Sequence, residues 1–222
     1  DQTIVRCDIT IGALTASGAF ADCPFYALVS PSTSAEGGPQ TWRLAAEHIY
    51  GSNVARAVAR GDVPPPEEYS KVTILVLDVV DYTRACAQQS PKQVATWMSK
   101  VHTVVESGIG RHCVRKIETR GDCYICITGS NAVPGDLSST QMSRMVGFAG
   151  DMEAQLWERC QTQVRVGIAT GPATIAYIGT NQFVPTICVF GETLDQAGRM
   201  EKYGRAGLLR MTGDAARAWK QE

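Results

Sequence analysis

Residues 71–83 read KVTILVLDVVDYT, a run of aliphatic and β-branched residues first broken by an aspartate at position 78. The stretch from Lys71 to Leu77 suits a strand buried on both faces, which shows as a continuous apolar run rather than as alternation. Asp78 closes that run, so its carboxylate stands where a buried strand emerges. Ser90-Pro91 then marks a helix start, a cap followed by proline at the first helical position. Val94, Trp97, Met98, Val101, Val104 and Val105 follow at helical spacing, and Gly108 and Gly110 are expected to end the helix. Residues 114–119 and 123–128 read as two short strands around the turn Arg120-Gly121-Asp122. A second amphipathic helix carries Met142, Met145, Val146, Ala149, Met152 and Leu156. Strands are expected at 164–169, 173–178 and 186–190, then a helix over 192–203, a last strand at 208–211 and a short helical tail. This order predicts an α+β domain, an α/β sandwich with a ferredoxin-like βαββαβ core and helices on one face of its sheet.

Residues 1–66 differ from the rest. Two strand-like stretches (3–14 and 24–30) lead into PSTSAEGGP, a helix is expected around 41–60, and DVPPPEE at 62–68 marks a boundary. No motif in this segment carries identifiable chemistry, and it reads as the end of an upstream domain. Residues 67–222 form the regular domain. The chain begins at Asp1 without an initiator methionine, which suggests a piece of a longer protein.

Composition narrows the function classes. Net charge is -1, so no global field points to nucleic acid or an anionic membrane as partner. No apolar run approaches the roughly 20 residues needed to cross a bilayer. Eight cysteines are scattered through apolar patterns. Cys123 and Cys126 form a CxxC, but residues three apart on a strand point to opposite faces and cannot share a metal. Reduced, mostly buried thiols in a cytoplasmic protein fit this usage.

Asp78 at a strand end and Asp122 in a hairpin turn meet at one sheet edge if their strands are neighbours. Two carboxylates that close repel unless a proton or a cation lies between them. Hard oxygen ligands favour Mg²⁺ or Mn²⁺, which take one or two carboxylates and complete their shells with water and phosphate. Spacing alone leaves a second reading open, because strand-end aspartates also serve as turn formers.

The local sequences carry a resemblance. LDVVDYT (77–83) and KIETRGDCY (116–124) are similar to the two metal-binding signatures of class III nucleotidyl cyclases. VRVGIATGPA (164–173) and CVFGETLDQAGRMEKYG (188–204) resemble the strand-turn between them and the helix that completes the family's active site. Four such motifs in family order over residues 67–212 identify the domain as a cyclase catalytic domain, closest to guanylyl cyclases. The resemblance implies that Asp78 and Asp122, with the Val79 carbonyl, ligate two Mg²⁺ or Mn²⁺. It implies that backbone amides of Val80, Asp81, Tyr82 and Thr83 cradle phosphate, that Arg199 stabilises the α-phosphate, and that Asp195 orients the ribose. Glu118 and Cys188 would select the base. A carboxylate accepts from guanine N1–H and its 2-amino group, whereas adenine N1 would face that carboxylate lone pair to lone pair. Each site would draw on two chains, Asp78 and Asp122 from one and Glu118, Cys188, Asp195 and Arg199 from the other. A homodimer or a heterodimer acting on GTP below an upstream sensor or receptor domain is therefore implied.

Four departures qualify it. Asp81 stands where Gly or another small residue is usual, Arg120 where an apolar one is, and Asp195 where Asn is expected. The sequence stops at Glu222, before the C-terminal hairpin that supplies a triphosphate-binding Lys in the family, and Lys220 does not match that motif. A catalytically degenerate partner subunit and an adenylyl cyclase stand as alternatives.

Overall fold

The computed structural model describes residues 7–13, 25–31, 54, 56, 57, 60, 62–130, 140–179 and 186–222. The chain divides into two compact units, residues 1–59 and 60–222. In the first, β1 (Cys7–Ala13) pairs antiparallel with β2 (Phe25–Pro31), so both early strand-like stretches do form strands. The helix expected around 41–60 falls mostly outside the described residues, of which Val54, Arg56 and Ala57 are helical.

The second unit is built on β3 (Glu67–Val79), which lies between β5 (Cys123–Thr128) and β6 (Val164–Ile178) and is antiparallel to both. With β4 (Arg115–Arg120) and β7 (Thr186–Phe190) the order is β4-β5-β3-β6-β7. β8 (Leu209–Met211) adds to β6 in parallel, which makes the sheet mixed. Within this unit, β3, β4, β5 and β6 and two long helices form the ferredoxin-like arrangement expected from the chain order. Flanking them are α1 (Tyr82–Gln88), α2 (Pro91–His112), α3 (Gln141–Cys160), α4 (Glu192–Lys202) and α5 (Gly213–Gln221).

Strand alternation sorts the layers. Leu75, Leu77 and Val79 point to the face covered by α2 and α3, where they join Val101, Val105, Met145, Met152 and Leu156 in the main core. Ile74, Val76 and Asp78 point to the other face. The two long helices share one face as expected, and α4 covers part of the opposite one, against β6 and β3. Gly167 allows that approach, because a Cβ there would lie 2.2 Å from the Ala197 oxygen and the Glu201 nitrogen.

Two local outcomes differ from the sequence reading, and a third was not addressed by it. Ser90 caps α2 in a full capping box with Gln93, but the helix runs past Gly108 and Gly110 to His112. A side chain at 108 would collide with Met152, so Gly108 is a gap for α3 rather than a stop, and Cys113 ends the helix at φ 50°. The two strands expected at 164–169 and 173–178 are one, β6. Its Pro172 falls opposite a register shift between Tyr69 and Val72, where β3 gives up its pairing and no ladder donor is required. The α3 amino end lacks its own side-chain cap, and the Glu222 carboxylate accepts from the Met142 and Ser143 amides instead.

Gly167→Ala should destabilise the domain by about 1–3 kcal/mol, because the added methyl meets helix backbone that cannot rotate away. Gly150→Ala, on α3 with nothing within 4 Å of its Cβ, should be neutral or slightly stabilising. Urea unfolding of both variants measures the contrast; equal effects would contradict the close approach of α4.

Candidate active site

Asp78 is the last residue of β3 to pair with β5, directly opposite Cys123. Asp122 immediately precedes Cys123 in the two-residue turn from β4, whose first residue, Gly121, has φ 63°. The strand end and the hairpin turn therefore place both carboxylates at one sheet edge. They line a cleft of about 580 Å³ together with Val79, Asp81, Tyr82 and Thr83.

The charge in this cleft is unbalanced. Burial, then Asp122 and Glu201, push the Asp78 carboxyl up to about 6, and Arg165 only partly offsets them. Burial likewise raises Asp122. Cys123 is pushed up to about 12 by burial and then by Asp78, Glu201 and Asp122, so its thiol stays protonated. Arg165, across the sheet from Asp78, donates to Asp78 Oδ2, and its Nε donates to Glu201 Oε1 at 2.8 Å. It ties the end of β3 to α4. Two half-buried, oxygen-only carboxylates with one shared arginine suit a hard divalent cation.

The turn after Asp78 shows why Gly or another small residue is usual at position 81. Asp81 has φ 65°, a left-handed conformation that Asp tolerates better than most side chains. Its carboxylate pairs with Arg84 at 2.9 Å. The Val80 amide donates to the Gln163 oxygen at 2.9 Å and is already used. Of the four amides expected to cradle phosphate, those of Asp81, Tyr82 and Thr83 remain, at the start of α1. Tyr82 stacks on Trp97 at 6.3 Å between centroids, which steadies this short helix on α2.

The other sequence-predicted residues fall into two further groups. Glu118 on β4 is held by Arg120, and Cys188 lies on β7. Asp195 and Arg199 lie one turn apart on the exposed side of α4, while Thr193 and Ala197 face the sheet. Neither lines the Asp78–Asp122 cleft. Among the described residues, neither side chain makes a hydrogen bond or an ion pair.

Arg84, Ala87 and Arg165 line the cleft although the sequence did not single them out, and Glu201 joins the site through its ion pair with Arg165. The signal was an arginine in the buried-type run VRVGIA, which needs a partner wherever it is half-buried.

The mixed sheet, with Asp78 at a strand end and Asp122 in the neighbouring hairpin turn, fits the class III nucleotidyl cyclase catalytic fold. Residues 65–222 match the adenylate and guanylate cyclase catalytic domain family, and the chain belongs to it. It is 31% identical over 172 residues to receptor-type guanylate cyclase gcy-20 of Caenorhabditis elegans, covering 76% of this chain and 15% of that protein. Identity to atrial natriuretic peptide receptor 2 of Rattus norvegicus is 31% over 162 residues, 71% of this chain and 15% of the receptor. The chain thus spans about 15% of the length of the curated relatives it matches. The guanylate cyclase domain of RhGC from Catenaria anguillulae, solved in complex with GTP, superposes with a TM-score of 0.63 at 26% identity. That match covers 69% of this chain and 84% of the other. The adenylyl cyclase CyaB from P. aeruginosa shares the fold at 16% identity and a TM-score of 0.63, over 71% of this chain and 84% of that one.

Because folding raises the Asp78 pKa, the folded state holds a proton that the unfolded chain releases near pH 4. That contribution to stability is full below about pH 4 and is lost as pH rises through about 6. Asp78→Asn, uncharged throughout, should stabilise the metal-free protein by about 1–3 kcal/mol at pH 8. At pH 4 it should change little. Urea unfolding at the two pH values tests this, and an equal effect at both would contradict a disfavoured Asp78 charge.

Proposed function

We propose that this domain is a guanylyl cyclase that converts GTP to cyclic GMP and pyrophosphate as a dimer, with two Mg²⁺ or Mn²⁺. The observation that carries the proposal is the cleft shared by Asp78 and Asp122, two carboxylates with raised pKa values in a chain of this family.

Asp78, Asp122 and the Val79 carbonyl would hold the ions. Bound there, the metals would acidify the ribose 3′-hydroxyl and neutralise triphosphate charge. The chain's own groups place the substrate. Amides of Asp81, Tyr82 and Thr83 donate to phosphate oxygens. Glu118 accepts from guanine N1–H and the 2-amino group, and Cys188 donates weakly to O6. Arg199 meets charge that develops on the α-phosphate as the 3′-oxygen attacks in line. Asp195, an acceptor where a donor amide is usual, can hold a ribose hydroxyl but cannot donate to the ring oxygen.

Arg199 and Asp195 face away from the cleft of their own chain, and this supports sites assembled from two subunits. Homodimer and heterodimer both satisfy it. Asp195 and the Glu118–Arg120 pair favour the competing reading of a weak or degenerate partner subunit. The receptor-type relatives support an upstream sensor or receptor domain and a cytoplasmic catalytic part.

Incubation of the purified protein with GTP or ATP and Mn²⁺ tests the assignment, with cyclic product as the readout. Wild type should form cyclic GMP in preference to cyclic AMP, and Asp78→Asn should lose about 10³-fold or more of that rate. No product from either nucleotide, with nucleotide bound and dimer present, would remove the enzyme reading. Asp78→Asn and Arg199→Ala should each be inactive, yet an equimolar mixture should recover about a quarter of wild-type activity, since half the dimers then keep one intact site. No recovery in exchanging dimers would exclude sites shared between chains.

A further inference from the structure

Arg120 and Glu118 are two apart on β4 and so share a strand face. Arg120 Nε donates to Glu118 Oε1 at 2.7 Å and Nη2 donates to Oε2 at 2.8 Å. This is a planar fork of two parallel N–H donors on both oxygens of one carboxylate. Guanine presents the same pattern, since its N1–H and 2-amino N–H are also parallel donors in one plane. One carboxylate edge accepts one such fork at a time.

We propose that Arg120 is an internal mimic of the guanine edge, a latch that occupies Glu118 until GTP displaces it and thereby sets the base selectivity of this domain. The proposal rests on Glu118 as the base-selecting residue. The latch acts on the two nucleotides in opposite directions. GTP must break the ion pair before Glu118 can accept from its base. ATP has no such fork and leaves the pair closed, and a closed pair cancels the negative charge that would otherwise repel adenine N1. Arg120 therefore narrows the gap between GTP and ATP. The Arg120 side chain is 63% exposed and that of Glu118 30%, so the pair is weak and the handicap is several-fold rather than thousand-fold. Arg120 does not line the Asp78–Asp122 cleft, so it acts at Glu118 rather than beside the two aspartates.

The test compares wild type, Arg120→Ile and Arg120→Lys in the dimeric protein with GTP and ATP. Arg120→Ile should lower the KM for GTP about fivefold and raise the GTP-to-ATP preference, with the effect on KM rather than kcat. Arg120→Lys, which cannot form the fork, should fall between the two. In nucleotide-free wild type, the Arg120 Nε–H resonance should be protected from exchange and lose that protection in Glu118→Gln and on addition of GTP. Wild-type turnover of GTP with an unchanged or higher KM in Arg120→Ile would overturn the latch and leave the cyclase reading standing. Failure of both proteins to bind GTP would overturn the latch and the cyclase reading together. An Nε–H that exchanges as in free arginine would overturn the latch alone.

Discussion

Asp78 carries a charge that its surroundings disfavour, and much of the domain is arranged around that fact. It lies half-buried at the end of the central strand, close to Asp122 and Glu201, with Arg165 as the shared counter-charge. Those two ion pairs fasten β3 to α4 through β6. The same carboxylates that make the cleft electrostatically strained are the ones the proposed function assigns to a hard cation, so stability and that proposed role pull in opposite directions at this edge of the sheet.

Around the cleft, the period of two along β3 does the sorting. Leu75, Leu77 and Val79 fill the main core beneath α2 and α3, while Asp78 emerges on the face that α4 partly covers. Gly167 lets α4 come down onto that face, and Glu201 thereby reaches Arg165. Asp195 and Arg199, on the far side of the same helix, point outward. One helix thus supports its own chain's cleft while presenting a second set of groups elsewhere. That division is the strongest structural support for the proposed two-chain site.

The β4–β5 hairpin makes a similar division over a few residues. Asp122 turns into the cleft, and Glu118, on the preceding strand, is engaged by Arg120. Where an apolar residue at 120 would leave Glu118 open to a base, arginine gives the carboxylate a partner within its own chain. In the proposed latch, arginine at 120 acts through the neighbour it occupies rather than through charge added near phosphate.

The sequence alone determined the element order, the burial of β3, the capped start of α2 and the hairpin that carries Asp122, because each depends on local periodicity and turn chemistry. Family membership was legible in four ordered motifs for the same reason. Tertiary structure decided what depended on neighbours distant in the chain. Gly108 and Gly110 read as a helix stop, but at 108 the missing side chain makes room for Met152, a contact across two helices. Residues 164–178 read as two strands, but they form one, with a register shift in β3 opposite Pro172. Arg165 and Glu201 entered the site only when a strand and a helix 36 residues apart in sequence were packed together. Asp78 and Asp122 were visible from the outset as a pair of acids; that they share one cleft, half-buried and pushed to hold protons, follows from burial and charge proximity, which no local pattern encodes.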